Sequence, residues 1–420
     1  MTNPPWLDAR FLGFVQRYPN FSGQIDFASY FEDGFVIKDR VFDLLYNKID
    51  PRKSPGSPLC FKFSSNSSIS SYLTEFKMQI ERRLEKLYEY GKSQDFLQLH
   101  PSQSFDLVSG DVTDPVLVAI KPEPRKVGKR PRLIKMVSVI VNSIGRLLLH
   151  DNFALEQAHG QCPTATQLDI TTREATLQMF HEFRRASPLY TSDVQGWEYS
   201  VSLYDNVCAF VKNALQMGIG KVNGLDFGPV DGHERHFYTL KGYYMALCIP
   251  LLQFPSGKLY ITIVGQMLSG VYQTFEDNSF VRGWLADLVS YDATGHSVSY
   301  VKTAGDDCND SGGHHEQYAK YGFVITDTAV QTDVFNFCST VFTEDCSYQE
   351  NIWKSVYQQS TEDVFDDEKR LAFDMCFQHH PDYQLALKYL TLRGGDEVKS
   401  KHADSEEDPT SCEESPQPSW

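Results

Sequence analysis

No stretch of this chain is apolar for long enough to cross a membrane. The longest candidate, Tyr243 to Leu252, falls well short of the roughly 18 residues that a span needs, and it contains Pro250. The opening MTNPPWLDARFLGF has neither the basic start nor the apolar stretch of a signal peptide. No internal repeat is present. The nine cysteines (60, 162, 208, 248, 308, 338, 346, 376 and 412) are odd in number and include no C-x-x-C pair, which fits a reducing compartment better than a disulfide framework or structural zinc. Basic residues are also scarce, 39 Lys and Arg against 55 Asp and Glu. The resulting charge of −16 argues against a protein that coats nucleic acid non-specifically, because such a binder carries a positive field.

What remains is a soluble, packed chain of 420 residues, 41% hydrophobic and 22% charged, long enough for two or three lobes. Its 28 Phe, 22 Tyr and 5 Trp supply large cores or stacking surfaces. Residues 396–420 hold eight acids against Lys399 and Lys401 and almost no aliphatics, so they read as a disordered acidic tail, with Gly394 and Gly395 stopping the last helix. Asp50 to Ser71 is rich in Ser, Pro and Asn and reads as a loop. The following TEFKMQIERRLEKLYEYG has helical spacing that ends at Gly91. SPLYTSD reads as a strand ending on Asp193, and from Ser200 the residues Val201, Tyr204, Cys208, Val211 and Leu215 trace an amphipathic helix. YYMALCIPLLQF, the turn Pro255-Ser256-Gly257 and KLYITIV read as a hairpin. A helix with Val281, Trp284, Leu285 and Leu288 on one face carries Thr274 and Asn278 together on another. SVSYVKTAGDDCND reads as strand, tight turn and strand, and the rest is largely helical to Arg393.

Two features carry chemistry. Adjacent aspartates at a bend, with a third acid at the end of another strand, repel one another unless a cation neutralises them. Oxygen ligands in that number suit Mg²⁺ or Mn²⁺, and a pair of such ions serves in-line phosphoryl displacement. A Gly-Asp-Asp by itself is more often a solvated turn. Ahead of these acids, KPEPRKVGKRPRLIK (121–135) places seven basic residues against Glu123, a cationic run in an acidic protein. Cations followed by metal-binding acids are what a nucleoside triphosphate requires.

Taken in order, these and further segments resemble the motifs of a viral RNA-dependent RNA polymerase of the right-hand type, most closely the sobemovirus, luteovirus-like and barnavirus group. KSPGSPLCFKFSSN is similar to motif G, near the incoming template, with Gly56 and Pro58 at its matching positions. KPEPRKVGKRPRLI is similar to motif F, and Lys121, Glu123, Arg125 and Arg132 match it; the resemblance implies that the basic ones line the nucleotide channel. TSDVQGWEYSVS resembles motif A, which makes Asp193 the first metal ligand and Glu198 the acid that senses the ribose 2′-hydroxyl, where the family more often has Asp. GQMLSGVYQTFEDNS resembles motif B through Ser269, Gly270, Thr274 and Asn278, which bear on the nucleotide sugar. TAGDDCND resembles motif C, with Asp306 the second metal ligand and Asp307 an accessory one. YAKYGFVITD resembles motif D, where Val330 stands at the position of a proton-donating lysine and Lys320 is the nearest alternative, leaving the general acid open. NFCSTVF, with Phe337, Cys338 and Ser339, is similar to the primer grip of motif E.

The resemblance implies an α+β right-hand fold of fingers, palm and thumb, the palm a small antiparallel sheet with helices packed behind it. Residues 1–185 would form the N-terminal region and fingers, 186–335 the palm with a fingers insertion about 211–258, 336–395 motif E and the thumb, and 396–420 the tail. The implied activity is template-directed nucleotidyl transfer with Mg²⁺, which Mn²⁺ substitutes, in replication of a positive-strand RNA virus genome. RNA template, nascent RNA and NTPs are the implied partners, together with a genome-linked protein primer and membrane-bound viral replication proteins in the host cytoplasm. A reverse transcriptase or two-metal nuclease would share the carboxylates, and a non-catalytic RNA-binding protein would need them only as turns.

Overall fold

The computed structural model describes residues 4–121, 132–159, 163, 172–360 and 366–391. The acidic segment and the glycines ahead of it therefore lie outside the described residues. The chain divides into two units, Met1–Leu168 with Arg184–Thr332, and Asp169–Phe183 with Asp333–Trp420. Among the described residues no helix is long and apolar enough to cross a membrane.

The first unit is built around a four-stranded antiparallel sheet, in the order Ile325–Gln331, Leu189–Val194, Asp307–Asp310, Val301–Ala304. The strand ending near Asp193 and the hairpin bending at Gly305 and Asp306 are those expected from the sequence. All four residues of Val301–Ala304 are buried, because the helix Thr274–Thr294 lies against them. Contact is close: the Thr303 hydroxyl donates to the Ser279 carbonyl at 2.8 Å, and a Cβ added at Gly283 would meet Phe14 at 3.2 Å and Thr303 at 3.6 Å. This helix has no single apolar face. It is buried from Ser279 to Ser290, including Arg282 and Asp287, so it runs through the core instead of along its surface. A second four-stranded sheet, Leu133–Met136, Val116–Ile120, Leu251–Gln253 and Leu259–Ile261, pairs the cationic segment's flanks with the hairpin 251–261.

Three expectations need correction. YYMALC belongs to a helix, Glu234–Cys248, and only Leu251–Gln253 is strand. Apolar residues on all sides hide the period, and a buried helix and a buried strand look alike in such a run. Gly91 does not end its helix, which runs Leu73–Ser93. It sits where this helix crosses Glu234–Cys248: a Cβ on Gly91 would lie 2.0 Å from the Tyr238 carbonyl, and one on Gly242 2.0 Å from that of Leu87. The stretch after the hairpin is not largely helical, for strands Ile325–Gln331, Phe335–Phe337, Thr340–Phe342 and Ser347–Gln349 precede the helices Ile352–Ser360 and Asp367–Phe377. Those strands are short, and exposed residues such as Val330 blur their alternation.

In the second unit Phe183 packs among Phe335, Phe337 and Phe342, with ring centroids 5.6–5.8 Å apart. Ile352, Val356, Phe373, Phe377, Ala386 and Leu390 form a separate small core.

Polar groups are buried together in the first unit. Lys212 Nζ contacts Glu156 at 2.6 Å, both side chains 1% exposed, and Asn213 donates to Asp277 at 3.0 Å. The Tyr244 hydroxyl also donates to Asp277, at 2.8 Å. Burial pushes the Asp277 carboxyl up to about 7, with the hydrogen bond from Tyr244 and the charge of Lys212 acting the other way. A carboxyl raised this way favours the native state fully below its unfolded value, and that contribution is lost as pH rises through about 7. Asp277→Asn keeps the acceptor and removes the charge. Its thermal midpoint should exceed that of the wild type increasingly from pH 5 to pH 8, by about 2–4 °C for each kcal/mol of relief. Equal midpoints at pH 8 would mean that the buried charge is fully compensated.

Candidate active site

Asp193 and the hairpin acids come to one edge of the antiparallel sheet. Tyr190 faces Asp310 and Thr191 faces Asn309, so the Asp193 strand climbs toward the bend as Asp307–Asp310 descends from it. Gly305 takes φ +65 there, a left-handed conformation that glycine adopts without strain. Asp193, Asp306 and Asp307 are all exposed. Among the described residues the only hydrogen-bond partner of the Asp193 carboxylate is the Thr326 hydroxyl at 3.4 Å, and the Asp306 carboxylate has no ion-pair partner. Charge left open on an oxygen-only donor set fits Mg²⁺ or Mn²⁺ in its chemistry. Among the described residues, however, no group of three or more His, Cys, Asp or Glu is gathered closely enough to hold a metal, so the three acids share an edge without closing into a set.

The long helix braces this edge from behind. Ser279 Oγ accepts from the Gly305 N–H at 2.7 Å. Arg282, fully buried, donates from Nε to the Asp306 carbonyl at 3.1 Å, from Nη1 to the Tyr318 hydroxyl at 2.9 Å, and from Nη2 to the carbonyl and hydroxyl of Ser192. Burial opposes its charge, but Tyr318, Cys308 and Asp310 more than offset this and raise its pKa. Ser192 and Asp306 adjoin or carry the two expected metal ligands. Neither Arg282 nor Ser279 was singled out in the sequence; the available signal was a charge next to Val281 on the apolar arc of a helix.

At the start of the same helix, the Thr274 hydroxyl donates to the carbonyls of Leu268 at 2.7 Å and Val271 at 2.9 Å. It therefore ties down the loop that presents exposed Ser269 and half-buried Gly270. One turn on, Asn278 Oδ1 is buried and has no hydrogen-bond partner. A buried amide oxygen without a donor is costly, so this is a place where a ligand hydroxyl is useful.

The cationic segment meets that loop at Lys135. This side chain, 2% exposed, donates to the Met267 carbonyl at 2.9 Å and lies 5.1 Å from the Tyr199 ring. Burial lowers its pKa, and Glu198 acts in the opposite direction. Glu198 sits on the single turn Trp197–Ser200, started by Gly196 at φ +59. Lys121 and Arg132 are exposed at the base of the hairpin 116–136, joined by a backbone bond of 2.9 Å, and Arg125 lies outside the described residues. Gly56 is packed against the entrance to helix Val139–His159, where a Cβ would stand 2.8 Å from the Val137 carbonyl, and the Val139 N–H donates to Pro55. Pro58 is exposed beside it. A cavity of about 330 Å³ runs from this loop to Gly270 and Tyr272, with Lys48, Lys53 and Arg146 against Asp50 in its wall. Those three cations were not anticipated, since they are scattered along the sequence.

Phe337 is a core residue of the second unit. Cys338 and Ser339, at φ +53 and +54, form the two-residue turn between Phe335–Phe337 and Thr340–Phe342, with Ser339 exposed. Lys320 lines a different cavity, with Asp205, Trp284 and Leu288, to which none of the three aspartates contributes.

The fold is similar to that of the RNA-dependent RNA polymerase of a human picorbirnavirus, known from a crystal structure. The TM-score is 0.50 over 81% of this chain and 81% of that one, at 12% identity, so the likeness is one of fold. No family model matches the sequence, and no curated protein matches it.

The backbones at Gly270 and Lys135 leave no room for a side chain: a Cβ on Gly270 would be 2.1 Å from the Lys135 carbonyl. Gly270→Ala should cost about 1–3 kcal/mol of stability and displace the Ser269 loop. Thermal unfolding together with faster proteolytic cleavage at 266–272 checks this, and an unchanged midpoint would mean that the loop gives way freely.

Proposed function

We propose that this chain is an RNA-directed RNA polymerase, transferring nucleotides from NTPs to an RNA 3′-hydroxyl along an RNA template. The observation that carries the reading is the sheet edge where Asp193 from one strand meets Asp306 and Asp307 from the neighbouring hairpin, backed by the helix of Thr274 and Asn278. The finer reading is a right-hand polymerase of a positive-strand RNA virus of the sobemovirus, luteovirus-like and barnavirus group. Residues 1–185 would supply the N-terminal region and fingers, 186–335 the palm, and 336–395 motif E and the thumb. The enzyme would work in host cytoplasm at membrane-associated replication sites, with a genome-linked protein as primer.

In this reading Asp193, Asp306 and Asp307 would be the residues that hold Mg²⁺, or Mn²⁺ in its place, once drawn together from the open arrangement described above. When bound there, such ions would supply Lewis-acid activation of a 3′-hydroxyl and neutralisation of charge on pyrophosphate. Lys121, Arg125 and Arg132 neutralise and orient the triphosphate. Asn278 Oδ1, buried and unpartnered, accepts from the ribose 2′-hydroxyl, while Glu198 and Ser269 approach the same sugar. Gly56 and Pro58 guide the template past the Lys48, Lys53 and Arg146 cavity, and the Cys338–Ser339 turn contacts the primer.

Asp306→Asn should fold and bind RNA as the wild type does and lose Mg²⁺-dependent NTP incorporation on a primed RNA template by at least about 10³-fold, the scale of a lost charge-stabilising contact. Incorporation by both proteins would show that other acids do the chemistry. Activity with dNTPs equal to that with NTPs would favour a reverse transcriptase. RNA affinity should also fall steeply with salt, and Lys53→Gln with Arg146→Gln should reduce the slope of log affinity against log salt by about 1–2. A flat salt response would remove the cationic cavity from the binding path.

A further inference from the structure

We propose that Arg282 is a positioning residue that sets the relative placement of the Asp193 and Asp306 carboxylates, and so the affinity of their edge for a divalent cation. The inference rests on the reading of those aspartates as the metal-holding pair. A guanidinium buried without a hydrogen-bonded carboxylate is costly, and such groups persist where their geometry is used. Here all the acceptors are neutral, and three of the four contacts go to Ser192 and Asp306. The planar fork thus joins the residue before Asp193 to the backbone of Asp306, two segments 114 positions apart in the chain.

The remaining donor, Nη1, goes away from the pair to the Tyr318 hydroxyl, itself 1% exposed. Ser279 adds a second tie, to the Gly305 N–H. One buried helix therefore grips both sides of the bend, and it cannot shift without unpacking Phe280, Trp284 and Leu288. A positive charge behind the acids would by itself weaken cation binding. The contribution of Arg282 is accordingly one of geometry, and exchange for lysine separates the two, since lysine keeps the charge and loses the fork.

The test compares the full chain with Arg282→Lys, Ser192→Ala, Tyr318→Phe and Asp306→Asn, without RNA or NTP, titrating Mn²⁺ and following free Mn²⁺ by electron paramagnetic resonance. Arg282→Lys and Ser192→Ala should weaken Mn²⁺ binding by about 10–100-fold, as loss of a supporting partner does at metal sites. Tyr318→Phe should lower the thermal midpoint yet leave Mn²⁺ binding unchanged. Should Arg282→Lys fail to fold, the Ser192→Ala and Tyr318→Phe pair makes the same comparison. Unchanged Mn²⁺ affinity in folded Arg282→Lys and Ser192→Ala overturns the proposal, as does an equal loss in Tyr318→Phe. If Asp306→Asn binds Mn²⁺ as the wild type does, the reading of the aspartates falls and the proposal with it; if only Asp306→Asn is weakened, that reading stands and the role of Arg282 falls.

Discussion

The first unit depends on one contact, the seating of a helix buried from Ser279 to Ser290 against the strand that leads into a two-aspartate bend. Acids exposed together at one end of a sheet repel each other. Something rigid has to hold that end, and the helix Thr274–Thr294 does so with Ser279 on a backbone N–H and Arg282 on a backbone carbonyl. The same helix begins at Thr274, whose hydroxyl fixes the loop of Ser269 and Gly270. Acids, loop and unpartnered amide oxygen are thus referred to a single rigid body.

Placement of the cationic segment follows from the second sheet. Its strand Leu133–Met136 ends with the Lys135 carbonyl against Gly270 and its ammonium on Met267. A run that looks in the sequence like a solvated stripe of charge is therefore anchored by its last lysine in the protein interior. Lys121 and Arg132 stay exposed at the other end. Local positive charge can in this way exist inside a chain whose total is −16, because seven cations are contiguous in 121–135 and eight of the acids lie far along the chain in 396–420.

The sequence located the strand of Asp193, the hairpin at Gly305 and the helix of Thr274 and Asn278, since short local patterns of turn residues and polar spacing mark them. It failed at the second half of Glu234–Cys248, where after Lys241 and Gly242 only tyrosines and apolar residues follow and no polar position marks the period. Gly91 misled for a related reason: a glycine needed for close approach of two backbones looks like one needed to stop a helix. The candidate site divides in the same way. Its acids and polar groups are short local patterns and can be read directly. Arg282, and the cluster of Lys48, Lys53 and Arg146, owe their meaning to partners far along the chain, and no local pattern marks them.

The crossing of Leu73–Ser93 with Glu234–Cys248 has a consequence for how this sequence can vary. At Gly91 and Gly242 the two backbones touch, and each glycine lies against the other helix's main chain. Enlarging either one drives the helices apart along their whole length, so a substitution at 91 removes the reason for glycine at 242, and the reverse. In diverging descendants of this chain the two positions should be kept or lost together, a paired signature of helix spacing that is independent of the chemistry at the sheet edge.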